Sequence, residues 1–150
     1  MQTSAIYSLI YMSVAAKDLQ QEEIDAIVAQ SRFNNKLDDI TGCLAYIEGE
    51  SRQEQHRKFI QVLEGEEHKL ADLFQRIQKD RRHTDVTLVV HGPIKSRNFE
   101  SWEMRFEKIN LELSPSFSGF FELDPLILAE QEDINNHMLL DFMKSFCKAM

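Results

Sequence analysis

An α+β protein built on one sheet is predicted by three observations. Runs rich in Ile, Val, Leu, Tyr and Phe recur at 5–15, 40–48, 58–64, 85–92 and 101–109, each of strand length. Two stretches with apolar residues three and four positions apart, at about 19–33 and 66–79, are set among them. Beyond residue 111 the pattern changes to small residues and then to apolar stripes of helical period. The order strand–helix–strand–strand–helix–strand is the ferredoxin-like arrangement. With the added strand it becomes a five-stranded mixed sheet carrying two helices on one face, followed by C-terminal helices.

The first run, AIYSLIYMSVA, is apolar almost throughout and reads as a strand buried on both faces. Asp18 and Gln21 form a capping-box pattern opening the first helix, in which Ile24, Ile27, Val28 and Ser31 share a face. Asn34 and Asn35 are expected to end it, because asparagine tolerates left-handed backbone. ITGCLAYIE and KFIQVLE read as neighbouring strands of a long hairpin with a polar tip. Leu70, Leu73, Phe74 and Ile77 line the buried face of the second helix, and DVTLVVHG and SWEMRFEKI are the last two strands. SPSFSG at 114–119 is a small-residue linker. Helices are expected from LDPLILAEQED and INNHMLLDFMKSF, the latter with Ile134, Met138, Phe142 and Phe146 along one stripe. Residues 1–110 thus form the sheet domain and 111–150 a helical extension, which covers the open sheet face or makes a subunit contact in a homo-oligomer.

Length suits one core that needs no staples. With 25 acids against 17 bases the net charge is −8, which argues against nucleic acid as a partner and against a polybasic membrane anchor. No run is long enough to span a membrane and no signal peptide is legible, so the expected location is cytoplasmic. Cys43 and Cys147 have no metal or CxxC spacing and read as two buried small hydrophobes. The five histidines show no metal spacing, and GxSxG, P-loop and GxGxxG patterns are absent.

Several polar residues are at odds with the apolar runs that carry them: Tyr11 in the first strand, Asn34 and Asn35, Gln61 in KFIQVLE, and Trp102 with Met104 in the last strand. A buried amide or phenol is costly unless it is hydrogen-bonded. Each has a bland reading: a core tyrosine, a solvent-facing glutamine, helix-stop asparagines and two packed strand residues. Gln61 departs from its bland reading because Phe59 and Leu63, on its own face, are apolar. Together the set suggests walls around a ligand that is flat, apolar and edged with polar atoms.

In that order these residues resemble the BLUF family, blue-light sensors that use flavin. The resemblance runs through Tyr11 in LIYMS, Asn34-Asn35 before DDITGCLAY, Gln61 in FIQVLEG, FQRIQKDRRH at 74–83, GPI at 92–94, and Phe99 ahead of Trp102 and Met104. It covers roughly residues 5–108. ESRQEQHR, between Gly49 and Lys58, looks like an insertion where the family makes a tight turn.

The resemblance implies a non-covalently held FAD, with FMN or riboflavin also compatible. Tyr11 is then the electron and proton donor, and Gln61 the relay at the flavin edge. Ile27, Ser31, Asn34 and Asn35 take the ring and its pyrimidine edge. Arg76, Asp80, Arg82 and His83 take the carbonyl and ribityl-phosphate side, with Arg82 and His83 ranked ahead of Arg76; their bland reading is a solvated helix end. Trp102 and Met104 carry the signal toward the C-terminal helices and a downstream partner, with no net reaction catalysed. The rivals are a ferredoxin-like hydrolase of acylphosphatase type and a flavin-less protein-binding relative.

Overall fold

The computed structural model describes residues 5–16, 19–50, 55–110 and 124–148. Five strands form one mixed sheet: β1 Ile6–Ala15, β2 Thr41–Glu50, β3 Gln55–Gly65, β4 His83–Ile94 and β5 Trp102–Asn110, in the spatial order β4-β1-β3-β2-β5. All neighbours are antiparallel except β2 and β5, which run parallel. Helices α1 (Gln21–Leu37) and α2 (Glu67–Gln78) share one face. They bury Ile24, Ile27 and Leu70 against Leu9, Tyr11, Leu44, Phe59 and Leu63. The predicted fold class is therefore the observed one.

The opposite strand positions, Ile10, Met12, Cys43, Ala45, Ile47, Ile60, Val62 and Val90, form a second apolar layer. It is covered by a short helix α3 (Pro125–Leu128), a 3-10 turn (Ile134–Asn136) and helix α4 (Met138–Lys148), which contribute Leu128, Ile134, Leu139, Leu140, Met143 and Phe146. His137 joins these pieces: its Nε2–H donates to the Leu128 carbonyl at 2.9 Å, and its Nδ1 accepts from the Leu139 N–H at 3.1 Å. No helix among the described residues is long and apolar enough to cross a membrane.

Four sequence expectations are corrected. The capping box of α1 is built by Gln20 and Glu23, while Asp18 lies outside the described residues. Asn34 and Asn35 do not stop that helix. It runs on to Leu37, and the left-handed residue is Asp39, at φ 56°, because Ile40 must turn back into the core to start β2. Of the expected C-terminal stripe, Ile134 and Phe146 are buried and Phe142 packs against the same core, but Met138 is exposed at 48%, and Leu139, Leu140 and Met143 are buried in its place. Cys43 and Cys147 are not free: they form a disulfide with Cα atoms 6.6 Å apart, since strand alternation points Cys43 at the face on which α4 lies.

Part of the polar stretch at 50–57 lengthens the hairpin. The β2–β3 ladder continues to Glu50↔Gln55, and residues 51–54 lie outside those described. The linker at 114–119 also lies outside them.

Candidate functional site

A row of side chains crosses the helix-covered face where the strands are in register. Tyr11 on β1 pairs with Gln61 on β3, Gln61 with Leu44 on β2, and Leu44 with Met104 on β5. Trp102 stands one step along β5, beside Gly42. At Gly42 φ is 150°, and an added Cβ would lie 2.0 Å from the Val62 carbonyl oxygen, so only glycine fits.

The indole of Trp102 reaches back over β2. Its Nε1–H donates to Gln61 Oε1 at 2.9 Å, and Gln61 Nε2 donates to the Tyr11 hydroxyl at 2.7 Å. The direction of this chain is chemically determined. An indole N–H can only donate, so the amide oxygen must face Trp102 and the amide nitrogen must face Tyr11. All three residues are buried. Burial drives the Tyr11 phenol well above its usual pKa; the Gln61 bond opposes the rise, Asp80 adds to it and Arg82 reduces it. The phenol is therefore neutral across the physiological range.

These residues form the floor of a cleft between α1 and α2. Its remaining lining includes Ile27, Ser31, Asn34 and Asn35 from α1, Leu44 and Phe59 from the sheet, Leu73, Arg76 and Ile77 from α2, and Asp80, Arg82 and His83 beyond it. The unfilled space among these residues is about 660 Å³, open solvent at the mouth included. Met104 is half-buried beside the cleft without lining it.

Polar groups divide into committed and free ones. Arg82 is paired with Asp80, donating from Nε at 2.9 and 3.0 Å and also from Nη2. The pairing holds the Asp80 carboxyl below its usual value, chiefly through that hydrogen bond. His83 is held at both ring nitrogens, with Nδ1 2.8 Å from the Ser13 hydroxyl and Nε2 2.6 Å from the Ile77 carbonyl. Its ring edge-packs on Tyr11 and Phe59. By contrast, Asn34, Asn35 and Arg76 have no side-chain partner among the described residues, although Asn35 is only 5% exposed. All three of Arg76, Arg82 and His83 thus line the cleft, the latter two already held by neighbours.

Leu44 and Phe59 are lining residues that the sequence reading left out. Phe59 is two positions before Gln61, and strand alternation alone puts it on the same face. Leu44 becomes visible only once the register of β2 against β3 is known.

A sheet whose helix-covered face carries a phenol–carboxamide–indole chain at the floor of an apolar cleft, lined also by two amides with no side-chain partner among the described residues, defines a small-ligand-binding α+β domain. The model of the BLUF family, sensors of blue-light using FAD, matches residues 6–105, and the chain belongs to that family.

It is 32% identical over 98 residues to photoactivated adenylate cyclase subunit beta of Euglena gracilis, a match covering 65% of this chain and 10% of that protein. The chain spans about a tenth of the length of the relatives that it matches. Among solved structures, a bacterial light-regulated adenylyl cyclase aligns at TM-score 0.62 and 32% identity, over 77% of this chain and 32% of the other. The photo-activated state of BlsA aligns at TM-score 0.66 and 26% identity, over 93% of both chains. The dark state of BlrB, at TM-score 0.70 and 23% identity over 98% of each, shares the fold. Family membership removes the ground for the hydrolase reading.

Proposed function

We propose that this chain is a blue-light photoreceptor that holds a flavin in the cleft between α1 and α2 and signals through its C-terminal helices. The observation that carries the proposal is the buried chain Trp102–Gln61–Tyr11 at the floor of a cleft whose amides, Asn34 and Asn35, have no side-chain partner among the described residues.

The donor set fits a flavin. Ile27, Leu44 and Ile77 supply apolar walls for a flat ring, Asn34 and Asn35 supply the donors and acceptors that a pyrimidine edge requires, and Arg76 supplies an unpaired cation. FAD is the favoured flavin, with FMN or riboflavin also compatible. Bound there, the flavin supplies the absorption of blue light and an acceptor for an electron.

Tyr11 would be the source of an electron and then of its phenolic proton, both taken up by the bound flavin. Gln61 responds because its amide is asymmetric. Rotation of the amide takes the oxygen away from the Trp102 N–H and sets an NH₂ against it, donor to donor. The Trp102 bond is therefore lost when the Gln61 amide rotates.

β5 carries that loss outward. Its Arg105 guanidinium lies 4.5 Å from the centroid of the Phe146 ring and donates to the Phe146 carbonyl, joining the strand to α4. Output then passes from α4 to a partner or to a second subunit. The reading assigns no net catalytic conversion to the chain.

The test is an absorption spectrum of the purified protein before and after blue light. A yellow protein whose bands shift slightly to the red and recover in the dark supports the proposal. A colourless protein that takes up no added FAD, FMN or riboflavin overturns it and favours a flavin-less binding relative.

A further inference from the structure

The segment leading into β5 has to cross the whole sheet. β4 and β5 are opposite edges, and only residues 95–101 join them. Four strand spacings amount to roughly 19 Å, and the segment passes the ends of β1, β3 and β2 as a series of bends with no helix to hold it.

Its anchor is Glu64, on the central strand and three residues after Gln61. The Glu64 side chain is fully buried. Its carboxylate accepts from the Asn98 N–H at 2.8 and 2.9 Å, the Asn98 side-chain amide at 2.9 Å, the Phe99 N–H at 3.0 Å and the Thr41 hydroxyl at 3.3 Å. Arg97 completes the junction, donating to the Glu64 carbonyl at 3.1 Å, to Thr41 Oγ1 at 2.9 Å and to Asp39 at 3.2 Å. One residue before Trp102, the Ser101 carbonyl accepts from the Gly42 N–H at 3.1 Å.

We infer that Glu64 is a positioning residue for the photochemical switch. By holding Asn98 and Phe99 on the strand that bears Gln61, it sets where β5 begins and so brings the Trp102 indole to the Gln61 carbonyl. β5 is an edge strand hydrogen-bonded to β2 alone, so its ladder leaves its start to be set from outside. Only a carboxylate suits the task. Each Glu64 oxygen faces at least two donors, and turning either into an NH₂ sets donor against donor. The switch itself rests on the proposed function, whereas the positioning of Trp102 can be read without light.

The experiment uses the full chain, in which Trp102 is the single tryptophan and gives one indole N–H resonance. Glu64→Gln is compared with wild type by hydrogen exchange in the dark. Faster exchange of the indole N–H by about 10-fold, the weight of one lost hydrogen bond, is expected while β1 and β3 amides keep their protection. An unchanged indole in a folded variant overturns the inference, as does equal acceleration throughout the sheet. Should Glu64→Gln fail to fold, Asn98→Ala decides in the same way: it removes one donor to Glu64, and a smaller acceleration of the indole supports the role while none overturns it.

A second arm illuminates both proteins after flavin loading. A changed dark-recovery rate in Glu64→Gln is expected, and an unchanged one overturns the link to the switch. If wild type takes up no flavin, the proposed function fails and the indole arm still decides the role of Glu64.

Discussion

Gln61 has an indole on one side and a phenol on the other, and its single amide satisfies both in only one orientation. Gln61→Leu keeps the volume and the apolar packing with Phe59 and Leu63 but can neither donate nor accept. Flavin uptake is therefore expected to survive while the persistent red shift after illumination is lost, as read by difference absorption spectroscopy. Tyr11→Phe removes a hydroxyl and little else, and the same loss of the light-induced shift is expected.

Tyr11 also gives a pH signature. Its folded pKa is raised above the ordinary 10.0, chiefly by burial. The folded state therefore keeps the proton that the unfolded chain loses, and the associated stability is fully present below pH 10 and declines as pH rises beyond it. Unfolding titrations in alkaline buffers should show wild type losing stability above pH 10 more steeply than Tyr11→Phe.

Among the elements, β2 carries the tightest constraints. Gly42 combines a φ of 150° with a Cβ position blocked by the Val62 carbonyl. Gly42→Ala should destabilise the protein by about 3 kcal/mol or more, since neither backbone strain nor clash can relax inside a central ladder. Urea unfolding measures this. One residue on, the Cys43–Cys147 disulfide ties β2 to α4 across 104 residues of sequence. Closing a loop of that length stabilises by about 4–5 kcal/mol in the chain-entropy view. Reduction with a dithiol should lower the unfolding midpoint accordingly, and Cys147→Ser should match the reduced wild type.

In the whole molecule the sheet separates two tasks. The α1–α2 face holds the cleft, and the other face is closed by Leu128, Ile134, Leu139, Leu140, Met143 and Phe146. Met143 is completely buried there. Met143→Ala should cost about 2–5 kcal/mol by leaving a cavity, yet leave the dissociation constant for added flavin within about twofold, because additive behaviour is the rule for distant sites. Denaturant unfolding and flavin titration on the same samples test both halves. A large loss of flavin affinity would mean that the two faces are coupled through the strands.

What the sequence determined by itself was which side of each element a residue occupies. Strand alternation put Phe59, Gln61 and Leu63 on one face of their strand, and helical period put Ile24 with Ile27, and Leu70 with Ile77, on one side of their helices, because both periods are local properties of the chain. Polar residues on those faces marked the site, and their order along the chain carried the family. Only the tertiary structure decided how distant segments meet. The register of β2 and β5 against β3 chose Leu44 and Trp102 as neighbours of Gln61. The packing of α4 paired two cysteines that read as separate hydrophobes and shifted the buried stripe away from Met138. Hydrogen-bond partners then sorted the polar residues: Ser13 and Ile77 took His83, Asp80 took Arg82, and Arg76 has no partner among the described residues. A titratable side chain's role depends on which donors and acceptors surround it: Asp80 and Ile77 lie 2 and 6 residues from the groups they bind, whereas Ser13 reaches His83 from 70 residues away.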